Sequence, residues 1–219
     1  MIGSPFEPGL AECAIHIGKR LLPMEIRLLH GAATAPYIDD LARLRLTVLR
    51  EFPYLYEGTA AHEADYLAPY AHSDRSLLVL ALDEGRVVGA STGLPLADQA
   101  EAFQQPFLEQ GRDPAAVYYF GGALVLPDYR NQGLGVRFFI ERESYAHKLG
   151  GFECCAFYAV ERPAGHPLRP VDYKPLQGFW RNRGFLHEPS LRTRHAWRDL
   201  DEADASDKIM SFWLKALPA

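Results

Sequence analysis

The stretch LPDYRNQGLGVRFF, residues 126–139, constrains the fold more than any other part of the sequence. An apolar, strand-like run ends at Leu126, and a helical pattern begins a few residues later. Pro127 cannot donate a hydrogen bond to a sheet ladder, so strand pairing weakens where the turn must begin. Gly133 and Gly135 carry no Cβ atom. The sequence therefore predicts a strand–turn–helix unit whose main chain is not covered by side chains at the N-terminus of the helix.

An uncovered helix N-terminus can bind an anion. The first turn of a helix has N–H groups without intrahelical partners, and the helix dipole adds about half a positive charge there. The N–H groups from Asn131 to Val136 can converge on phosphate oxygens, and Arg130 adds a positive charge at the same entrance. An ordinary strand–helix turn with glycines for tight packing is the alternative.

Two well-known phosphate loops do not fit this turn. A Walker loop needs Gly-Lys-Ser/Thr, whereas Gly135 is followed by Val136 and Arg137. A dinucleotide fingerprint needs a third glycine where Phe138 stands.

The rest of the chain predicts one α/β domain, residues 24–219, after an N-terminal extension, residues 1–23. Hairpins flank a strand–helix–strand unit, so the sheet is expected to be mixed. Along the first helix, apolar residues recur at helical spacing, with Arg43 and Arg45 among the polar residues between them. Thr34 is expected to be its N-cap. The predicted strands cover 24–29, 76–82, 86–94, 117–126, 152–160, 195–200 and 208–214, and the predicted helices cover 34–50, 61–72, 98–110, 134–149 and 175–183.

Charge and composition argue against several classes of function. The 219 residues carry a net charge of −5, which argues against a nucleic-acid partner. The His and Cys residues do not fall into zinc-ligand spacing, so no metal is expected, and His62-Glu63 is interpreted as a chance start of a zincin motif. The adjacent Cys154 and Cys155 are expected to be core residues of a cytoplasmic protein. No apolar run approaches the length of a membrane span.

Two motifs in the right order carry a family resemblance. VLPDYRNQGLG, residues 125–135, resembles the acyl-CoA motif V-x-P-x-x-R/Q-x-x-G-x-G/A of the GNAT superfamily of N-acetyltransferases. FWRNRGF, residues 179–185, resembles that superfamily's F-Y-x-x-x-G-F segment. The predicted element order is similar to that fold from Met24 to Leu217. The resemblance implies an α/β (α+β) single domain with a mixed central sheet, splayed at the cofactor strand and flanked by helices.

The resemblance also implies where acetyl-CoA binds. Its pyrophosphate is expected on the loop that contains Arg130, Asn131, Gln132, Gly133, Leu134, Gly135 and Val136. Its pantetheine arm is expected to pair with the strand backbone at Ala123, Leu124 and Val125. A backbone N–H near Leu124 or Val125 would stabilise the carbonyl oxygen.

The catalytic groups depart from the superfamily's pattern. Trp180 stands where the superfamily often has a tyrosine acid, and an indole N–H is too weak an acid for that role. Trp180 is expected instead to be a wall of the cofactor channel. Tyr173 is the substitute candidate, with a packed ring as the alternative. VYYFGGALVL offers no carboxylate base, and its two glycines, Gly121 and Gly122, indicate a bulge or a close approach. Glu57, in the link between the first two helices, is the candidate for holding or deprotonating the amine, with a solvated loop carboxylate as the alternative.

The expected activity is acetyl transfer to the primary amine of a small molecule. A homodimer is possible through the aromatic strand at Phe212 and Trp213, with rings that are core on one face and rim on the other as the alternative. Acetylation of a protein N-terminus or lysine, a non-catalytic acyl-CoA sensor, and an unrelated α/β protein are the alternatives.

Overall fold

The computed structural model describes residues 24–218; the predicted extension, residues 1–23, lies outside this range. The described part of the chain forms seven strands and five α-helices, joined in places by short 3₁₀ segments. The strands are β1 Glu25–His30, β2 Leu77–Asp83, β3 Arg86–Pro95, β4 Val117–Val125, β5 Cys154–Val160, β6 Leu186–Trp197 and β7 Ser206–Ala216. The helices are α1 Ile38–Val48, α2 Ala60–His72, α3 Glu101–Glu109, α4 Leu134–Leu149 and α5 Gln177–Asn182.

The strands form one mixed sheet in the order β1-β2-β3-β4-β5-β7-β6. Only β4 and β5 run parallel, and they pair over three residues alone, from Val117 opposite Cys154 to Tyr119 opposite Ala156. Beyond that point the two strands separate, although β5 stays paired with β7 as far as Val160. The predicted splay at the cofactor strand is confirmed.

Helices cover both faces of the sheet. One face packs against α1, α2 and α3 through buried residues such as Leu44, Leu67 and Phe107. The other face packs against α4 through Phe138 and Phe139. Cys154 and Cys155 point to opposite faces, as adjacent strand residues do, and both are free thiols in packed surroundings. Burial raises the pKa of the Cys154 thiol to about 11, which keeps it protonated and unreactive.

Two local predictions were wrong. Thr34 does not cap α1, because the chain from Gly31 to Tyr37 tightens into a 3₁₀ segment and the Thr34 hydroxyl donates to backbone carbonyls of Gly31 and Tyr70. The strand predicted at 195–200 begins much earlier, at Leu186. Arg45, which falls between the apolar positions of α1, is largely buried, with only 12 % of its side chain exposed.

The aromatic strand β7 lies between β5 and β6, not at an edge of the sheet. Phe212 packs against Phe107 on one face, and Trp213 packs against Trp180 on the other. Both rings are buried within the chain and are not available for a dimer interface.

Candidate functional site

A bulge lies in β4 where it leaves β5. Gly93 of β3 pairs with Phe120 and Ser91 pairs with Ala123, so Gly121 and Gly122 together oppose a single β3 residue. Such a bulge leaves one extra residue outside the ladder and bends the strand. The prediction that the two glycines mark an irregular strand is therefore confirmed. Ala123 is exposed although β4 is a central strand, so solvent reaches this edge of β4.

Gly121 is required by close packing. A Cβ atom there would lie closer than 3.0 Å to the Tyr70 hydroxyl and to the Thr92 Oγ1. Gly122 has only ordinary contacts, with the Arg45 Nη1 at 3.7 Å from the ideal Cβ position. The bulge thus meets polar side chains from α1, α2 and β3.

The N–H groups from Asn131 to Val136, which we call the cradle, are open. Within residues 24–218, no backbone carbonyl accepts a hydrogen bond from any of them, whereas the next N–H, that of Arg137, donates to the Gly133 carbonyl. Asn131 and Gly133 both have positive φ, 61° and 84°. Alternation of left-handed and ordinary backbone turns successive N–H groups towards one point, which makes an anion-binding concavity.

The two cradle glycines have different roles. At Gly133 a Cβ would meet nothing within 4 Å, so glycine serves the positive φ that caps α4. At Gly135 a Cβ would lie 3.4 Å from the Phe179 ring, an ordinary contact. Gly133 is therefore not required by tight packing. The missing side chain leaves the backbone at the start of α4 accessible.

Arg130 stands at the entrance of the cradle, but its side chain is partly engaged. Its Nε donates to the Val125 carbonyl at 3.1 Å, and its two terminal nitrogens donate to the Glu51 carboxylate at 2.8 and 3.0 Å. Glu51 belongs to the α1–α2 link, residues 49–59. Arg130 thus joins the end of β4, the cradle and this link.

The α1–α2 link is attached to the tip of the β6–β7 hairpin by backbone hydrogen bonds. The Glu57 N–H donates to the Arg198 carbonyl at 3.0 Å, and the Leu200 N–H donates to the Leu55 carbonyl at 2.9 Å. Tyr56 forms an isolated β-bridge with Asp199. We call this joined segment, residues 54–57 with 198–200, the roof.

A buried ion pair holds the roof to the end of β5. The Arg162 guanidinium donates to both oxygens of Asp199 and to the carbonyls of Pro53 and Tyr54. The side chains of Arg162 and Asp199 are 9 % and 2 % exposed. Such a pair makes the roof costly to open, because separation would leave a buried charge unpaired.

The predicted catalytic residues lie in and beside the link. Tyr173 is half-buried, with its ring edge-on to Phe52 at 4.7 Å. Burial raises the pKa of Tyr173, so the hydroxyl keeps its proton at neutral pH. Glu57 pairs with Arg198 at 2.9 Å and with Arg50 at 3.5 Å.

Trp180 packs against Phe157 and Trp213, with ring centroids 5.1 and 5.0 Å away. It lies on the α4 and α5 side of the sheet, within an aromatic cluster. Its role as a wall of the cofactor channel stays a prediction.

Sequence reasoning missed a second set of polar residues on the opposite face, centred on Arg45 and Glu63. Their side chains form an ion pair, and Glu63 is fully buried. Helical spacing contained the signal: Arg45 follows the buried Leu41 by four residues, and Glu63 precedes the buried Leu67 by four. Both therefore lie on the inner stripes of their helices.

Comparison with known proteins agrees with this geometry. A family model described as "Acetyltransferase (GNAT) family" matches residues 41–170, more than half of the chain. The match includes β4, the bulge and the cradle. The chain belongs to the GNAT acetyltransferase family, whose members depend on acyl-CoA. No curated protein matches the chain significantly in sequence.

Solved structures share the fold. A ribosomal-protein-alanine N-acetyltransferase from Brucella melitensis is 15 % identical with a TM-score of 0.55, over 87 % of this chain and 99 % of that one. The acetyltransferase yncA from Salmonella typhimurium, solved with its cofactor acetyl-CoA, is 10 % identical with a TM-score of 0.53, over 90 % and 95 %. GphF, a GNAT-like decarboxylase in complex with isobutyryl-CoA, is 18 % identical with a TM-score of 0.56, over 89 % and 100 %.

Within residues 24–218, no helix is long and apolar enough to cross a membrane. In the same range, no group of three or more His, Cys, Asp and Glu residues is arranged to hold a metal ion.

Proposed function

We propose that this protein transfers an acetyl group from acetyl-CoA directly to the primary amine of a small molecule. The observation that carries the small-molecule assignment is the roof. The α1–α2 link and the β6–β7 hairpin are joined by backbone hydrogen bonds and by the Arg162–Asp199 pair. An extended peptide would need an open groove between these two segments, whereas a small amine needs only a short path to the bulge.

The residues present fit a coenzyme A thioester. The open N–H groups from Asn131 to Val136 suit its diphosphate, with Arg130 at the entrance. The unpaired edge of β4 at Ala123, Leu124 and Val125 suits the amides of its pantetheine arm. When bound, acetyl-CoA supplies the acetyl group and a thiolate leaving group.

The chain's own groups position and polarise the reactants. The amine nitrogen forms a bond to the acetyl carbon, the carbon–sulfur bond breaks, and the sulfur leaves as a thiolate that takes up a proton. A backbone N–H of β4, near Leu124 or Val125, stabilises the carbonyl oxygen as charge develops. The bulge adds an unpaired backbone group at Gly121 or Gly122 for the same purpose. Most of the acceleration comes from holding the two reactants together.

Tyr173 is proposed as the acid that protonates the leaving thiolate. Its position supports this role, because its ring contacts Phe52 of the α1–α2 link. Glu57 is proposed to hold the acceptor ammonium at the roof. Its carboxylate already pairs with Arg50 and Arg198, and water removes the ammonium proton.

An acceptor panel tests the proposal. Free CoA release is measured with small primary amines, with peptides that have a free N-terminus and with lysine-containing peptides. The proposal expects turnover with at least one small amine and little with either peptide. Preference for a peptide would overturn the small-molecule assignment, and acetyl-CoA binding without any turnover would indicate a sensor.

Two variants test the catalytic assignments. Tyr173→Phe is expected to lower kcat about tenfold or more while leaving KM for the amine nearly unchanged, since it removes only a proton donor. An unaltered kcat would remove Tyr173 from the mechanism. Glu57→Gln is expected to raise KM for the amine, and an unchanged KM would return Glu57 to a structural role.

A cytoplasmic location and a homodimer are also proposed. The net charge of −5 and the free, packed thiols Cys154 and Cys155 are compatible with the first. The homodimer rests on the resemblance alone, and sedimentation of the purified protein tests it.

A further inference from the structure

Arg45 and Glu63 form an ion pair beneath the middle of the sheet. Arg45 comes from α1 and Glu63 from α2, with 12 % and 0 % of their side chains exposed. The guanidinium carbon lies 3.7 Å from the centre of the Tyr66 ring. Burying two charges costs more free energy than an apolar pair of similar size would, so the pair is not explained by stability alone.

The terminal nitrogens of Arg45 are left available. Only Nε donates to Glu63, and no other residue in the described range accepts from Nη1 or Nη2. The Nη1 atom lies 3.7 Å from the position that a Cβ atom on Gly122 would occupy. The terminal nitrogens of the guanidinium, which we call the fork, therefore lie beside the bulge. They approach it from the side of the sheet that carries α1 and α2.

Two buried oxygens beside this guanidinium also lack partners. Within residues 24–218, neither the Glu63 Oε1 nor the Tyr56 hydroxyl has a hydrogen bond of ordinary geometry, although both are shielded from solvent. The two groups are neighbours, since burial and then the Glu63 carboxylate raise the pKa of the Tyr56 hydroxyl. Buried polar atoms are normally satisfied, so each unpaired one calls for an explanation. Tyr56 belongs to the roof, and Glu63 pairs with Arg45, whose Nη1 reaches the bulge.

We propose that these groups recognise the acceptor as an α-amino acid. Arg45 binds the α-carboxylate through its free nitrogens, because a guanidinium fork matches a carboxylate in two parallel hydrogen bonds. The α-amine is one carbon away and is thereby brought to the bulge. Glu57 holds the ammonium at the roof as the acceptor enters, and the Glu63 Oε1 and the Tyr56 hydroxyl accept hydrogen bonds from it once the carboxylate is on Arg45, before it loses its proton. This inference rests on the proposed function and adds the substrate class.

In this arrangement Glu63 has a second task. Its Oε2 atom accepts a hydrogen bond from the Arg45 Nε, and this bond fixes the orientation of the fork. Glu63 is therefore a positioning residue for Arg45.

The test compares free amino acids with their carboxamides, which keep the amine and the side chain but lose the negative charge. Free CoA release is measured with the common amino acids and with the carboxamide of each one accepted. The proposal expects kcat/KM for an accepted amino acid to exceed that for its carboxamide by roughly 100-fold, as loss of a charge-assisted pair in a desolvated site does.

Arg45→Gln provides the second arm, with Arg43→Gln as its control. Arg43 lies on the same helix but is 42 % exposed and pairs with Asp40. Arg45→Gln is expected to raise KM for the amino acid roughly 100-fold and to leave that for the carboxamide within about threefold. Arg43→Gln is expected to change neither. Acetyl-CoA affinity measured by calorimetry reports whether each variant is folded.

The outcomes separate the two hypotheses. Equal use of acids and carboxamides by the wild-type protein, or an equal loss of both in Arg45→Gln, would overturn the amino-acid assignment and leave the proposed function standing. Turnover restricted to peptides would overturn the proposed function itself. If Arg45→Gln does not fold, the comparison of acids with carboxamides in the wild-type protein still decides the assignment.

Discussion

Arg130 and Glu51 form a two-bond ion pair between the cradle and the α1–α2 link, with nitrogen–oxygen distances of 2.8 and 3.0 Å. A third nitrogen of Arg130 donates to the last residue of β4, Val125. One side chain therefore joins the site proposed for the cofactor diphosphate to the segment that covers the acceptor side. A carboxylate also lies close to the place where an anion is expected.

We expect Glu51→Gln to tighten binding of coenzyme A. The change frees the Arg130 charge for the diphosphate and removes a negative charge from the entrance. Both side chains are more than one-third exposed, so the gain is small, about two- to fivefold in Kd at low salt. Calorimetric titration with coenzyme A measures it.

Glu161→Gln is the matched control for that titration, because Glu161 pairs with Arg192 in a similar exposed geometry away from the cradle. Its Kd should equal that of the wild-type protein. Weaker binding in Glu51→Gln would contradict the placement of the diphosphate beside Arg130.

We expect Gly121→Ala to destabilise the protein by about 1–3 kcal/mol, since the added methyl group would overlap the buried Tyr70 hydroxyl and the Thr92 Oγ1. Gly122→Ala is the control, because its methyl group meets only ordinary contacts. Urea unfolding of both variants measures the difference in the free energy of unfolding. Equal stability of the two variants would mean that the bulge does not depend on the missing side chain of Gly121.

Glu202 gives the hairpin a pH-dependent contribution to stability. Its carboxylate accepts from the Lys208 Nζ at 2.6 Å and from the Asp199 N–H at 3.0 Å. The Lys208 hydrogen bond first, and the Asp199 backbone second, lower the pKa of Glu202 to about 2 from an ordinary value of 4.5. Because the pKa is lower in the folded state, this contribution is present above pH 4.5 and is lost as the pH falls towards 2.

Glu202→Gln should therefore be less stable than the wild-type protein above pH 4.5, and the difference should shrink as the pH falls towards 2. Urea unfolding across that range measures it. Asp204→Asn, which changes an exposed carboxylate in the same loop, should follow the wild-type profile. A constant difference for Glu202→Gln at every pH would show that its charge is not the cause.

The cradle was predictable from sequence because its determinants are local. A proline, two glycines and a helix start within ten residues fix the turn, and the proposed diphosphate site consists of backbone N–H groups. The splay between β4 and β5 followed from the family resemblance, and the two adjacent glycines in β4 indicated the bulge.

The first half of β6 was missed because it carries no strand signal. Its residues are mostly exposed, so hydrophobic alternation is absent, and Pro189 lies where the register shifts between Glu188 and Arg192. Proline is tolerated there because β6 is an edge strand. The Arg162–Asp199 and Arg45–Glu63 pairs join residues far apart in the chain, and only the fold brings them together.

The measurement that tests the central claim most directly is calorimetric titration of acetyl-CoA into Gly135→Glu. The Phe179 ring closes one side of position 135, so a longer side chain extends over the open N–H groups and adds a negative charge to them. Gly165→Glu is the control, since a side chain there meets nothing within 4 Å. We expect the acetyl-CoA affinity of Gly165→Glu to equal that of the wild-type protein. We expect a folded Gly135→Glu to lose about 100-fold or more of that affinity. Unchanged affinity in Gly135→Glu would contradict the cradle and every step built on it.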